Sequence, residues 1–174
     1  MGAGFRVGLA DLKRTEGARK QFCLEAGFDD PVDISLVSLP AKRPLLVEVE
    51  LQSAGDGVLA SLRVSVTLDA QCARCLSAFS LTSVVQAEEF FVYPERASHY
   101  EDEDVRFIHD ESIDLGDVIR DAIILDQELN PVCSPDCRGL CPTCGIDLNA
   151  NPDHTHGDEA DSRWLSLTQW GKMS

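Results

Sequence analysis

Four cysteines fall within twelve residues, in the run Cys133-x3-Cys137-x3-Cys141-Pro-Thr-Cys144-Gly145. No other feature restricts the fold so tightly. From Cys133 to about Asp161 the chain is dense in Cys, Pro, Gly, Asp and Asn, which is loop composition with little to build a core from. Four thiols at this density match a tetrahedral zinc ion, for which thiolate is a preferred donor. Two cysteines at x2 spacing let one tight turn aim both sulfurs at a common point. Gly145, which follows, can take the left-handed conformation such a turn needs, and Gly139 is placed to do the same before Cys141. Metal binding would then order the segment, since its free energy is folding free energy.

The preferred ligand set is Cys133, Cys137, Cys141 and Cys144. His154 and His156, spaced x1, leave an alternative open: Cys141 and Cys144 with a mixed pair drawn from Cys133, Cys137, His154 and His156. A second constellation, Cys72-Ala-Arg-Cys75, reads first as a structural turn between strands. It reads next as half of a metal site shared with the C-terminal cluster, and last as a redox pair. Thioredoxin-like chemistry wants its nucleophile at a helix N-terminus, where the thiol pKa falls, and here both flanks have strand character. Cys23 stands alone and is expected to be an ordinary small residue. The chain has no glycine-rich phosphate loop, no His-Glu-x-x-His and no local nucleophile–base signature. A zinc ion held wholly by thiolates keeps no open position for water, so its role is structural. The expectation is a protein that is not an enzyme.

The rest of the chain supplies the core. Leu45, Val47, Val49 and Leu51 alternate with more polar neighbours, Gly55-Asp56-Gly57 is turn chemistry, and Leu62, Val64, Val66 and Leu68 alternate again. That is a β-hairpin. Phe79 to Val92 supplies a third strand, making a meander, and Val105 to Ile108 a short one. Leu115, Val118, Ile119, Ala122, Ile123 and Leu129 follow helical spacing, with Asp114 placed as N-cap and Pro131 just beyond the end. A short final helix from Asp161 or Ser162 would carry Trp164, Leu165, Leu167 and Trp170 on one side. The fold class is therefore α+β: an antiparallel β-meander or partly closed sheet, one covering amphipathic helix, and a C-terminal zinc-binding loop with a short helix. Three regions follow: a basic arm and irregular segment over 1–40, a meander and helix over 41–130, and the zinc-binding segment over 131–174.

Charge narrows the partners. Thirty acidic residues against fifteen basic ones give a net charge of −15, and non-specific nucleic-acid affinity needs clustered Lys and Arg. The local exception is the first twenty residues, where Arg6, Lys13, Arg14, Arg19 and Lys20 face only Asp11 and Glu16. That arm could touch RNA or an acidic face of its own protein, or else be simply a solvated terminus. Glu101-Asp102-Glu103-Asp104 is a solvated loop, or else a docking surface for a basic partner. No apolar run approaches membrane-spanning length, and the N-terminus has no secretory signal pattern. The expected location is cytoplasmic, where seven cysteines stay reduced and favour metal binding over disulfides.

Three stretches resemble the YceD family, the large ribosomal RNA subunit accumulation proteins. They are Leu68-Asp-Ala-Gln-Cys72-Ala-Arg-Cys75-Leu76, Ile113-Asp114-Leu115, and Cys133-Ser-Pro-Asp-Cys137-Arg-Gly-Leu-Cys141-Pro-Thr-Cys144-Gly-Ile-Asp-Leu-Asn149. Asp161-Ser-Arg163-Trp-Leu165 is similar to the family's Asp-Pro-Arg segment, with Ser162 in place of proline. Many relatives carry Cys-x-Cys where this chain has His154-Thr-His156, a swap that keeps metal-binding capacity. The resemblance implies a non-enzymatic role in accumulation of large-subunit ribosomal RNA and ribosome assembly. Net charge adds a preference for a basic ribosomal protein as partner over the RNA precursor itself. Two rival functions are a thiol-redox protein using Cys72 and Cys75, and a generic zinc adaptor for some other basic protein.

Overall fold

The structure, a computed structural model, describes residues 3–100 and 105–156. Its centre is the expected hairpin, β5 (Leu45–Ala54) and β6 (Gly57–Gln71), paired from Ala54↔Gly57 to Leu46↔Ser65. Alternation sets the two faces: Leu45, Val47, Val49, Leu51, Leu62, Val64, Val66 and Leu68 are buried, while Glu48, Arg63 and Thr67 are exposed. Each fully buried aliphatic side chain stabilises the fold by about 1.5–3 kcal/mol relative to exposure. The third strand, β7 (Ala78–Val92), pairs antiparallel with the whole of β6, from Gly57↔Val92 to Gln71↔Ala78.

The opposite edge of β6 is shared. β5 takes its first part, and β4 (Val37–Leu39) pairs with Asp69 and Ala70 near its end. β3 (Val32–Ile34) pairs with β4, and β2 (Arg19–Ala26) with β5. β8 (Arg106–Phe107) adds a short parallel pairing to β7. These seven strands form one sheet that stays open rather than partly closed. β8 is only two residues long, too short to carry the ladder round to the far edge at β2.

Residues 1–40 also differ from the expected irregular arm. They hold β1 (Arg6–Gly8) together with β2, β3 and β4, and they bury Phe5, Leu9, Leu12, Phe28, Val32, Val37 and Leu39. Of the fates considered for the basic side chains, the structure shows contact with the protein's own acids for four of the five. Arg6 lies 3.6 Å from Asp110, Arg14 3.3 Å from Glu95 and 2.6 Å from Glu111, Arg19 3.3 Å from Glu50, and Lys20 3.1 Å from Asp11. Exposed pairs of this kind contribute about 0–1 kcal/mol each. The apolar residues between them are what hold the segment.

β9 (Ser112–Asp114) pairs with β1 and leads into α1 (Gly116–Asp126). The Asp114 carboxylate accepts the Gly116 amide at 2.9 Å, and the Leu115 amide donates to the Phe5 carbonyl at 3.1 Å. Val118, Ile119 and Ile123 are buried, and the helix packs on β7. The helix stops earlier than the spacing to Leu129 suggests: Gln127 is already extended, with its side-chain amide donating to the Ile123 carbonyl at 3.0 Å. Leu125 and Leu129 are consequently 84% and 76% exposed. The acidic run 101–104 and the expected final helix with Trp164, Leu165, Leu167 and Trp170 lie outside the described residues.

Candidate metal centre

Two turns of the chain are built alike. At the β6–β7 reversal the Cys72 amide donates to the Ser77 carbonyl and the Leu76 amide to the Cys72 carbonyl, both at 2.9 Å. Near the C-terminus the Cys141 amide donates to the Ile146 carbonyl and the Gly145 amide to the Cys141 carbonyl, both at 2.8 Å. In each, the residue after the second cysteine is left-handed, with φ of 60° at Leu76 and 74° at Gly145. Glycine takes this conformation freely, whereas for Leu76 it costs about 1–2 kcal/mol. Strain of this sort persists where surrounding structure enforces it, often at functional sites.

The first turn faces the Cys133–Cys137 loop. The sulfurs of Cys72, Cys75, Cys133 and Cys137 all lie within 4.8 Å of one another, with Cys72–Cys137 at 3.8 Å and Cys75–Cys133 at 3.7 Å. A tetrahedron with Zn–S bonds of about 2.3 Å has S···S edges of about 3.8 Å. The donor set and its spacing therefore fit zinc. They do not fit a disulfide, whose sulfurs bond at about 2.05 Å. Burial alone would raise the Cys72 thiol, but backbone hydrogen bonds from Cys133, Cys75 and Arg74 outweigh it and bring the pKa down to about 6. Cys75 is lowered by the side chain and backbone of Ser77, whose hydroxyl lies 2.9 Å from its sulfur. Cys133 is pushed up to about 12, chiefly by the neighbouring Cys75 sulfur.

Around these thiols, Arg74 donates through its guanidinium to the carbonyls of Cys137 at 2.9 Å and Pro135 at 3.4 Å. The Asn149 amide approaches the Cys137 sulfur at 3.6 Å, and its carbonyl accepts the Arg138 amide at 2.8 Å. Donors aimed at sulfur are the kind of outer contact that orients and tunes a thiolate ligand.

The second turn faces two imidazoles. Cys144 Sγ lies 3.2 Å from His154 Nε2 and 3.3 Å from His156 Nε2, and the two nitrogens are 3.0 Å apart. With Cys141 these ligand atoms again fall within 4.8 Å of one another. The distances sit slightly inside the roughly 3.3–3.6 Å edges of a mixed sulfur–nitrogen zinc tetrahedron, so this set fits the ion as well. The Cys141 thiol is held down to about 6 by the amides of Cys144 and Thr143.

The structure thus divides the preferred quartet. Cys133 and Cys137 lie with Cys72 and Cys75, while Cys141 and Cys144 lie with His154 and His156. The division has a backbone cause. Gly139 is left-handed, with φ of 76°, and its missing side chain lets the chain seat against the Arg74 carbonyl. Between the two cysteine pairs the chain is therefore held against the Cys72–Cys75 turn. Cys23 is exposed on β2 and belongs to neither group. From the sequence Cys72 and Cys75 rank below the C-terminal cysteines as ligands, and Arg74 and Asn149, which the structure places against the Cys133–Cys137 loop, give no signal. The repeated Cys-x2-Cys spacing was the available signal.

Among the described residues no helix is long and apolar enough to cross a membrane. No solved structure matches the chain at a significant level. An uncharacterized protein of Mycobacterium tuberculosis is 36% identical over 167 residues, covering 94% of this chain and 79% of that protein. A second, from Mycobacterium leprae, is 32% identical over 139 residues, covering 79% and 64%. A 46-residue stretch is 48% identical to the chloroplastic large ribosomal RNA subunit accumulation protein YCED homolog 1 of Zea mays, covering 26% of this chain and 16% of that one. The family described as large ribosomal RNA subunit accumulation protein YceD matches residues 60–169, from β6 through both cysteine-bearing turns. The chain belongs to the YceD family.

Proposed function

We propose that this protein supports accumulation of large-subunit ribosomal RNA, and so ribosome assembly, as a binding factor in the cytoplasm rather than as an enzyme. The observation that carries this reading is the family match over residues 60–169. Zinc is proposed as a structural component, held in the C-terminal segment by Cys141, Cys144, His154 and His156. A bound ion would supply cross-linking free energy to a segment poor in apolar residues. Four protein ligands leave no position for a substrate water, which supports binding over hydrolysis.

Charge favours a basic ribosomal protein as the partner. At −15 overall, the molecule repels phosphate and steers cationic surfaces toward itself. Four of the five basic residues of the N-terminal segment, Arg6, Arg14, Arg19 and Lys20, are engaged with the protein's own carboxylates, which weakens the case for RNA contact there. The test is sedimentation. Deleting the gene should deplete large subunits and their RNA relative to small subunits, and restoring the full chain should reverse this. An unchanged ribosome profile in the deletion strain would defeat the proposal.

A further inference from the structure

We infer that the chain carries a second, separate metal centre, formed by Cys72 and Cys75 with Cys133 and Cys137, and that this centre staples the C-terminal segment to the sheet. The inference rests on the metal-binding half of the function proposed above and is independent of its ribosomal half. Three observations converge on it.

The first is the donor geometry, four sulfurs within 4.8 Å and two pairs at 3.7 and 3.8 Å, which matches the edges of a zinc–thiolate tetrahedron. The second is the shared architecture of the two turns. The β6–β7 reversal reproduces, bond for bond, the backbone of the Cys141–Cys144 turn, and it does so with a leucine where glycine would be easier. Hairpin loops that use a left-handed position ordinarily fill it with glycine or asparagine. Leucine in that position, in a turn that matches the other cysteine-bearing one, supports a shared task of aiming two sulfurs at one point.

The third is connectivity. Among the described residues, the hydrogen bonds and thiol contacts that join residues 131–156 to the rest of the chain all end on residues 72–77. The Ala73 amide donates to the Pro131 carbonyl, the Leu140 amide to the Arg74 carbonyl, and Arg74 to the Pro135 and Cys137 carbonyls. The thiol pairs are Cys72 with Cys137 and Cys75 with Cys133. Among the described residues the apolar core of the sheet has no member beyond Ile123. Among these residues the core of the sheet is therefore complete without the segment, which reaches it through one short turn. A metal ion there acts as a removable joint between two parts, whereas the Cys141–His156 set orders only the segment's own tip.

Elemental analysis of the full chain, purified reduced, separates the possibilities. Two zinc ions per chain are expected. The double variant Cys75→Ser/Cys133→Ser, at partly exposed and exposed positions, should hold one, and His154→Ala/His156→Ala should hold one. Cys75→His should keep two, because imidazole replaces thiolate as a ligand. Amide hydrogen exchange reads the staple. In the Cys75/Cys133 variant the Ala73 and Leu140 amides should exchange at least about tenfold faster, while Leu62 and Val64 in the sheet stay protected. In the histidine variant Ala73 and Leu140 should keep their protection. One ion, unaffected by loss of Cys75 and Cys133, would overturn the second centre and leave the proposed C-terminal zinc standing. No ion at all would overturn both. Two ions with Ala73 and Leu140 still protected in the Cys75/Cys133 variant would overturn the staple.

Discussion

Gly139 and Gly145 share a left-handed backbone but differ in surroundings, so alanine at each gives a matched comparison. Both replacements incur the left-handed penalty of about 1–2 kcal/mol. At Gly145 a new Cβ meets nothing within 4 Å. At Gly139 it would stand 2.9 Å from the Arg74 carbonyl oxygen and 3.2 Å from the Arg74 Cβ. Relief of that contact means parting the Leu140–Arg74 hydrogen bond, now 3.0 Å, a further loss of about 1 kcal/mol. Gly139→Ala should therefore weaken docking of the segment by about 2–3 kcal/mol, or roughly 30- to 150-fold in the local opening equilibrium. Gly145→Ala should weaken its own turn by about 1–2 kcal/mol, roughly 5- to 30-fold. Amide exchange resolves the two, since it reports local opening residue by residue. The Leu140 amide should speed up in Gly139→Ala and hold in Gly145→Ala, where the Cys141 amide should speed up instead. Equal effects of both variants on Leu140 would refute the close seating of Gly139 on Arg74.

Further expectations follow from burial and bonding. Ile119→Ala empties a fully buried position under the helix and should cost about 2–5 kcal/mol in urea unfolding, while Leu125→Ala, at 84% exposure, should fall within about 0.5 kcal/mol of the parent. Arg74→Lys keeps the charge but loses the fork that spans the Pro135 and Cys137 carbonyls; the loss of about 1 kcal/mol should appear as roughly fivefold faster exchange at Ala73. Arg14→Ala removes two exposed ion pairs and a guanidinium stacked 4.6 Å over Tyr93, yet should lower stability by no more than about 1–2 kcal/mol, read from the same denaturant curves.

What could be read from the chain alone tracks how long each pattern runs. β5 and β6 give ten and fifteen residues of period-two alternation around a glycine turn, enough to fix both strands and their register. Val118, Ile119 and Ile123 mark the buried stripe of α1 just as their spacing implies. β1, β3 and β4 have three residues each, too few for any period to show, and β2 buries its alternate side chains only halfway. Those strands are set by tertiary pairing rather than local pattern. The cysteine groups were half legible for a different reason. Four thiols close together in sequence look sufficient for one ion, and only the seating of Gly139 on Arg74 and the distant turn at Cys72–Cys75 show that they fall into different groups.

The thiol contacts at the tip of the β6–β7 hairpin join residues far apart along the chain: 58 positions separate Cys75 from Cys133, and 65 separate Cys72 from Cys137. At elongation rates of about 5–20 residues per second, that gap is roughly 3 to 13 seconds of synthesis. Throughout this interval the nascent polypeptide presents a lone pair of sulfurs at the end of a hairpin already made. The clasp can shut only after translation has passed residue 137, well after the hairpin that carries its first two sulfurs.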